Sequence, residues 1–407
     1  MLSIYKKGHK EMKTVMILGG SASEVPVIKR AIEMGHKVIL VDRDEHSPGF
    51  NENVIAEHHS IADKDKILEL AQKYKIDGII ASVDAGVRST AYVCKVMGLP
   101  GISEEAAFMG TDKVAMRIRL KERGVPVPEF YIVKTKEEYL DAISKFSNVC
   151  IVKAADSSGS RGIYKLNDLT NKADIDYAYN YCREFSSTGE LLIEEFMVGP
   201  EICAETLSEA GICYPIQITD QMHKEPPYFT DCGYSQPSTL DAKIVERIKE
   251  IAIDANLAIE NYQGSSCTEM IITQDGPKVV ELGVRLAGDF MTTAMVPLSC
   301  GVDMPGAVVK IALGEAINVT PKFEKGSCVR YFMKERVGRI KDIVGIDKAK
   351  AIKGVQAVEI LKKIGEEATL LRKSSDRLGL VITQGETAEE AIKTAEEALG
   401  QIDFIVE

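Results

Sequence analysis

Three stretches of the chain hold residues whose types and spacing can do chemistry, and each has a plainer reading beside it. The first is Asp156-Ser157-Ser158-Gly159-Ser160-Arg161-Gly162, directly behind a predicted strand ending in Lys153. Small residues let backbone N–H groups close on an anion, and Lys153 supplies a point charge for its phosphates. The lysine precedes the glycines and no G-x-x-x-x-G-K-[ST] occurs, so this is not a Walker loop. Read alone, it is equally a hairpin tip. The second stretch is Glu194-Glu195-Phe196-Met197-Val198-Gly199-Pro200-Glu201, behind a predicted strand. Backbone groups here suit a base edge, Phe196 and Met197 suit the faces of its ring, and Glu201 suits ribose hydroxyls. In isolation it also reads as a strand, a turn and a solvated glutamate.

The third is a carboxylate pair, Glu269 and Glu281, on two predicted strands joined by a hairpin at Gln274-Asp275-Gly276. Carboxylates facing each other across strands repel unless a cation lies between them. Two hard oxygen ligands beside phosphates suit Mg²⁺. Arg285 shares the face of Glu281 and suits a transferring phosphoryl group, or else is the salt-bridge partner of either glutamate.

The elements that must position these groups change character along the chain. Thr14–Leu18, Val38–Val41 and Gly78–Val83 are apolar runs that alternate with helical patterns over 25–35 and 64–74. That alternation predicts a parallel sheet covered on both faces, with ligands at the carboxyl ends of its strands, where Gly19–Gly20, Asp42 and Asp84 fall. Asp42 also lies at a spacing that suits a nicotinamide cofactor's ribose, but Gly19-Gly20-Ser21-Ala22-Ser23-Glu24 is not G-x-G-x-x-G. A helix over 111–122 is stopped by Gly124, Pro126 and Pro128. Beyond it, short strands near 149–153, 162–166, 191–196, 202–207, 212–218, 267–273 and 278–282 surround helices near 176–185 and 242–256. This predicts an α+β core built on antiparallel hairpins. The last segment ends in a helix capped by Thr387-x-x-Glu390.

Composition bounds the rest. A hydrophobic fraction of 45% with 27% charged residues fits a globular chain with an ample core, and 407 residues exceed one ordinary domain. A net charge of −11 argues against sequence-independent nucleic-acid binding. No run approaches the roughly 18 apolar residues of a membrane helix. Residues 1–11 read as a short tail and not a secretory signal. Nine scattered cysteines without a CxxC pair read as reduced thiols, hence a cytoplasmic protein, and His58–His59 as a solvated pair, not a zinc site.

Taken in their order and spacing, these segments resemble the ATP-grasp superfamily over nearly the whole chain. The resemblance implies a pre-ATP-grasp parallel βαβ domain at 12–110 and an ATP-grasp α+β domain at 111–318, with lobes of about 128–193 and 194–318. A C-terminal α+β domain would occupy 319–407. It implies ATP and Mg²⁺ or Mn²⁺ as cofactors. ATP contacts would come from Lys113, Lys153, Ser157, Ser158, Gly159, Ser160 and Gly162 on the phosphates, Glu194, Glu195, Phe196 and Met197 around adenine, and Glu201 on ribose. The metal ligands would be Glu269 and Glu281, and Arg285 and Lys153 the catalytic residues. Most relatives read Glu-x-Asn-x-Arg where this chain has Glu281-Leu282-Gly283-Val284-Arg285, so one usual ligand is missing and Asp289 or water would fill its place.

Gly379–Thr387 and the helix after it are similar to biotin-carboxylase-like proteins and L-amino acid ligases. The latter likeness implies a ligase that activates a carboxylate as an acyl phosphate and joins it to an amine, with small-molecule substrates and a homodimer as the usual assembly. Asp84, His223, Tyr228, Tyr234, Gln236 and Asp289 are then candidate substrate contacts. Beside this reading stand a carboxylase or formate-dependent transferase acting on a nucleotide precursor, a dinucleotide-dependent oxidoreductase, and an ATP-binding protein without turnover.

Overall fold

The computed structural model describes residues 12–156, 162–223, 230–333 and 336–407. Its first sheet is parallel, in the order β3-β2-β1-β4, from β1 (Thr14–Leu18), β2 (Lys37–Val41), β3 (Val54–Glu57) and β4 (Gly78–Ala81). Helices α1 (Val25–Glu33) and α2 (Lys64–Tyr74) connect these strands. Near-continuous apolar runs such as VILV follow from burial on both faces, since Val15–Leu18 and Val38–Val41 are inaccessible to water. Strand β3 is absent from the sequence reading because VIAE is short and only half-buried. The carboxyl end of β4 leads straight into α3 (Asp84–Met97), followed by α4 (Glu104–Met109) and α5 (Lys113–Glu122). The Asp112 side chain caps α5 by accepting from Ala115 N at 2.9 Å.

A second, antiparallel sheet, ordered β5-β8-β6-β7, holds β5 (Phe130–Val133), β6 (Cys150–Ala154), β7 (Ile163–Leu166) and β8 (Leu191–Glu195). Helices α6 (Lys136–Ile143) and α7 (Lys172–Glu184) pack on it.

The third sheet has eight antiparallel strands in the order β13-β12-β9-β10-β11-β14-β18-β16. They are β9 (Glu201–Glu209), β10 (Ile212–His223), β11 (Asp231–Gln236), β12 (Gly264–Thr273), β13 (Gly276–Gly283), β14 (Gly326–Tyr331), β16 (Val355–Ile360) and β18 (Gly379–Gly385). Helix α8 (Ala242–Ala258) covers one face. A π-helical turn (Met291–Met295), α9 (Val296–Cys300) and α10 (Met304–Ala312) follow β13, and the turn packs on the other face. Strands of the last eighty residues thus extend the same sheet as β9–β13. The remainder of that segment comprises β15 (Gly338–Val344), α11 (Ile346–Lys350), β17 (Glu367–Ala368), α12 (Ala388–Gln401) and β19 (Asp403–Val406). Thr387 Oγ1 accepts from Glu390 N at 3.3 Å, the cap its motif predicts. Among the described residues, no single helix is long and apolar enough to cross a membrane.

Candidate active site

The carboxyl ends of the first sheet, the near edge of the second and one face of the third converge on one charged cleft. Its floor is set by strand register. Glu269 on β12 lies directly opposite Glu281 on β13, and Cys203 on β9 is the partner of Glu269 on its other side. Burial, together with the charge of Glu281, pushes the half-buried Glu269 carboxyl up to about 8. Lys113, the first residue of α5, is ion-paired to Glu281. Its main-chain N–H donates to Ala155 O at 3.3 Å, so Lys113 also touches the end of β6.

Arg285 stands beyond the end of β13 and not on the strand as even spacing predicts, because β13 stops at Gly283. Its Nε donates to Asp84 Oδ1 at 3.0 Å and its Nη2 to Asp84 Oδ2 at 3.3 Å, while Nη1 lies 3.2 Å from Cys267 Sγ. Asp84 is delivered by the first turn of α3, so the N-terminal sheet contributes to the cleft. Burial would lower the Arg285 pKa, but Cys267 and Asp84 raise it well above its ordinary value.

Glu194 is fully buried and held from two sides. Arg117 on α5 donates to its Oε1 at 2.8 Å, and Lys153 Nζ lies 2.8 Å from its Oε2. Burial alone would push this carboxyl up, yet the two cations hold it down to about 2. Arg117 also donates to the carbonyls of Val279 and Val280 at 2.6 and 2.7 Å, just before Glu281. Neither Arg117 nor this junction is named by the sequence reading. The signal was present: position 117 falls one turn from Leu120, on the buried face of α5, where an unpaired arginine does not sit.

The segment after β8 is open. Phe196 and Met197 are half-buried, with Lys165 Nζ 3.9 Å above the Phe196 ring, and Glu195 is ion-paired to Lys278. Gly199 has φ +155°, and a Cβ there would lie 1.9 Å from Ile272 O. Glu201 opens β9, with His223 Nε2 2.8 Å from its Oε2.

His223 Nδ1 lies 3.0 Å from Asp231 Oδ1, and Asp231 in turn meets Arg377, whose other partner is Asp289 at 2.8 Å. Tyr234 Oη donates to Asp289 at 2.8 Å. Tyr234 and Gln236 are both almost fully buried, and Gln236 is bonded to Thr219 and Ser299 beneath the face. Arg377 and Asp231 escape sequence reasoning, since neither lies in a patterned segment. The residues Ser157, Ser158, Gly159, Ser160 and Tyr228 lie outside those the structure describes; Gly162, with φ +65°, closes onto β6 through Gly162 O and Ala154 N at 2.8 Å.

The nicotinamide reading of the first sheet meets a specific obstacle. Asp42 Oδ2 accepts from Gly20 N at 2.9 Å and from Ser47 Oγ at 3.3 Å, so the carboxylate that would meet ribose is bonded to its own glycine turn.

Residues 110–289 match the family described as ATP-grasp domain, and residues 330–407 match L-amino acid ligase C-terminal domain 2. The chain thus carries an ATP-grasp domain followed by an L-amino acid ligase C-terminal domain. Among curated relatives, an uncharacterized protein, y4rH, from Sinorhizobium fredii is 28% identical, over 83% of this chain and 70% of that one. An L-arginine-specific L-amino acid ligase from Bacillus subtilis is 24% identical over 74% of each. The solved structure of an L-amino acid ligase from Bacillus licheniformis superposes with a TM-score of 0.84 at 21% identity, covering 98% of this chain and 100% of that one. At that identity the superposition speaks for the fold.

The donor set fits a hard divalent cation. Two carboxylates face each other across the strand pair, and burial together with the charge of Glu281 holds Glu269 high, which a cation between them would relieve. An ion held by these two carboxylates would take its remaining ligands from phosphate and water.

Proposed function

We propose that this chain is an ATP- and Mg²⁺-dependent ligase that activates a carboxylate as an acyl phosphate and joins it to an amine, releasing ADP and phosphate. The observation that carries the reading is the Glu269–Glu281 pair ringed by Lys113 and the Asp84-bound Arg285. Two carboxylates of the kind that hold hard cations stand there beside Lys113 and Arg285, which come from otherwise separate elements. The family match and the likeness to L-amino acid ligases support the same reading.

When bound to Glu269 and Glu281, Mg²⁺ would neutralise phosphate charge. Lys113 and Lys153 take up charge as the γ-phosphoryl passes from ATP to a substrate carboxylate oxygen: the Pγ–O bond to ADP breaks as the new P–O bond forms. An amine nitrogen then attacks the acyl carbon, loses its proton and expels phosphate. Arg285, held flat by two bonds to Asp84, faces the oxyanion of that step. No protein nucleophile is required, because positioning and fixed charge supply the rate.

The test is release of ADP and phosphate from Mg-ATP across a panel of amino-acid pairs, bicarbonate and formate. ADP with phosphate appearing only with one acid and one amine supports the ligase and names its substrates. AMP with pyrophosphate would overturn the acyl-phosphate route, and turnover with bicarbonate or formate alone would favour carboxylation or formyl transfer.

A further inference from the structure

We propose that His223 is a positioning residue for the nucleotide: it fixes the Glu201 carboxylate toward the ribose hydroxyls, and Arg377 fixes His223 through Asp231. This rests on the ATP reading above and extends it to residues that reading leaves without a role.

The geometry is a ladder of alternating charges. Glu201 begins β9 directly after Gly199 and Pro200, where one side of the chain is open, and about a third of its side chain is exposed. A glutamate so placed has several rotamers, and a ligand that needs one of them bears the ordering cost. His223 removes that freedom. Glu201 pairs across the sheet with Gln221, and His223 follows two residues later on the same face of β10, which brings Nε2 to 2.8 Å from Glu201 Oε2. Its other nitrogen is 3.0 Å from Asp231 Oδ1, so the ring lies between two carboxylates, with Nε2 meeting Glu201 as a close charge pair and not as an aligned hydrogen bond. Burial would lower its pKa, but Asp231 and Glu201 raise it to about 10, so the ring is a cation at neutral pH and holds both carboxylates.

Asp231 is fixed in its turn. Arg377 Nε donates to its main-chain carbonyl at 3.1 Å, and Nη2 to its carboxylate at 3.3 Å. Arg377 is buried, stacks 3.8 Å over the Tyr331 ring and is anchored again on Asp289. A residue from the segment before β18 thereby reaches the nucleotide side of the cleft through two intermediates.

The competing role is a plain staple between the ends of β10 and β11, and ribose discrimination separates the two. Affinities of Mg-ATP and of Mg-2′,3′-dideoxy-ATP are measured by calorimetry on wild type, Glu201→Gln, His223→Gln, Glu201→Gln/His223→Gln and Arg377→Met. Wild type is expected to prefer ATP by about tenfold, the value of one charge-assisted hydrogen bond. Glu201→Gln abolishes the preference, His223→Gln cuts it to about twofold with dideoxy-ATP affinity unchanged, and the double variant is no worse than Glu201→Gln alone. Arg377→Met moves the ratio in the same direction. A His223→Gln protein that keeps the full preference overturns the proposal. So does a wild type that binds both nucleotides equally. Failure to bind either nucleotide would instead sink the ATP reading itself. If His223→Gln does not fold, Asp231→Asn interrupts the same ladder one rung away, and full discrimination in that variant is equally fatal.

Discussion

Glu269 and Glu281 stand directly opposite each other across the β12–β13 pair, with a bulge immediately after Glu269 and Lys113 ion-paired to Glu281. Burial first, and then the charge of Glu281, hold the Glu269 carboxyl far above the ordinary carboxylate range. Glu281→Gln removes one of the two charges while keeping shape. Turnover should fall about a hundredfold at saturating Mg²⁺, roughly 3 kcal/mol of barrier. The fold should hold, because the lost ion pair is partly exposed and the lost repulsion compensates. Steady-state kinetics beside a thermal melt measure both, and near-normal turnover would remove Glu281 from the site.

Arg117 joins three elements with one guanidinium: Glu194 on β8, the Val279 and Val280 carbonyls on β13, and its own helix α5. Arg117→Met leaves Glu194 buried with Lys153 as its remaining cation, and two main-chain carbonyls lose their donor. Breaking a buried pair from one side costs about 3–5 kcal/mol. The urea midpoint should drop accordingly, and ATP affinity with it, since Glu194 would bind Lys153, its one remaining cation partner here, more tightly. An unchanged midpoint would show that the pair is dispensable.

The contrast between Lys113 and Arg117 tells how much of this site the sequence carried. Helix α2 was legible because its apolar residues follow the helical repeat, β1 because it is a short apolar run, and α5 because Gly124, Pro126 and Pro128 stop it. The order of the lysines, the Gly-Pro-Glu turn and the two glutamates was legible because chemistry restricts residue type at those points. The pattern singled out Arg285 and, separately, Asp84, but nothing in the sequence paired these residues 201 positions apart. Of the Glu201–His223–Asp231–Arg377 ladder, the sequence reading singled out Glu201 and His223 separately, but not Asp231, Arg377 or the connection among the four. Its members come from four separate segments and acquire meaning only when β9, β10 and β11 align. Likewise, nothing local in residues 319–407 announces that β14, β16 and β18 complete the sheet begun by β9.

Glu205 gives a stability signature that titrates. It is inaccessible to water, its Oε1 accepts from Thr219 at 2.6 Å, and its Oε2 has no hydrogen-bond partner among the described residues. Burial pushes its carboxyl from the ordinary 4.5 up to about 8. The folded chain therefore holds the proton more tightly than the unfolded one. The stability this confers is complete below the ordinary value and is lost as pH rises toward and through about 8. Glu205→Gln keeps the shape without the titration. Urea midpoints of the two proteins should converge near pH 4 and diverge by pH 8, with the glutamine variant the more stable. A difference that does not change with pH would mean that the Glu205 carboxyl titrates in the fold as it does in the unfolded chain.

Gly199 is the backbone hinge on which the Glu201 carboxylate depends. Its φ of +155° lies where side chains are rarely tolerated, and a Cβ would fall 1.9 Å from Ile272 O, well inside contact distance. The clash is with main chain, so no rotamer relieves it. Pro200 O accepts from Ile272 N at 2.9 Å, and that bond must break if the two segments separate. Gly199→Ala should therefore cost on the order of 2–3 kcal/mol from strain and the lost bond together. It should also move Glu201 away from His223. Two readouts distinguish these effects: a chemical melt reports the strain, and the ratio of ATP to dideoxy-ATP affinity reports the displaced carboxylate. Loss of stability with the ratio intact would place the hinge in the fold alone, and loss of both ties the turn to the nucleotide.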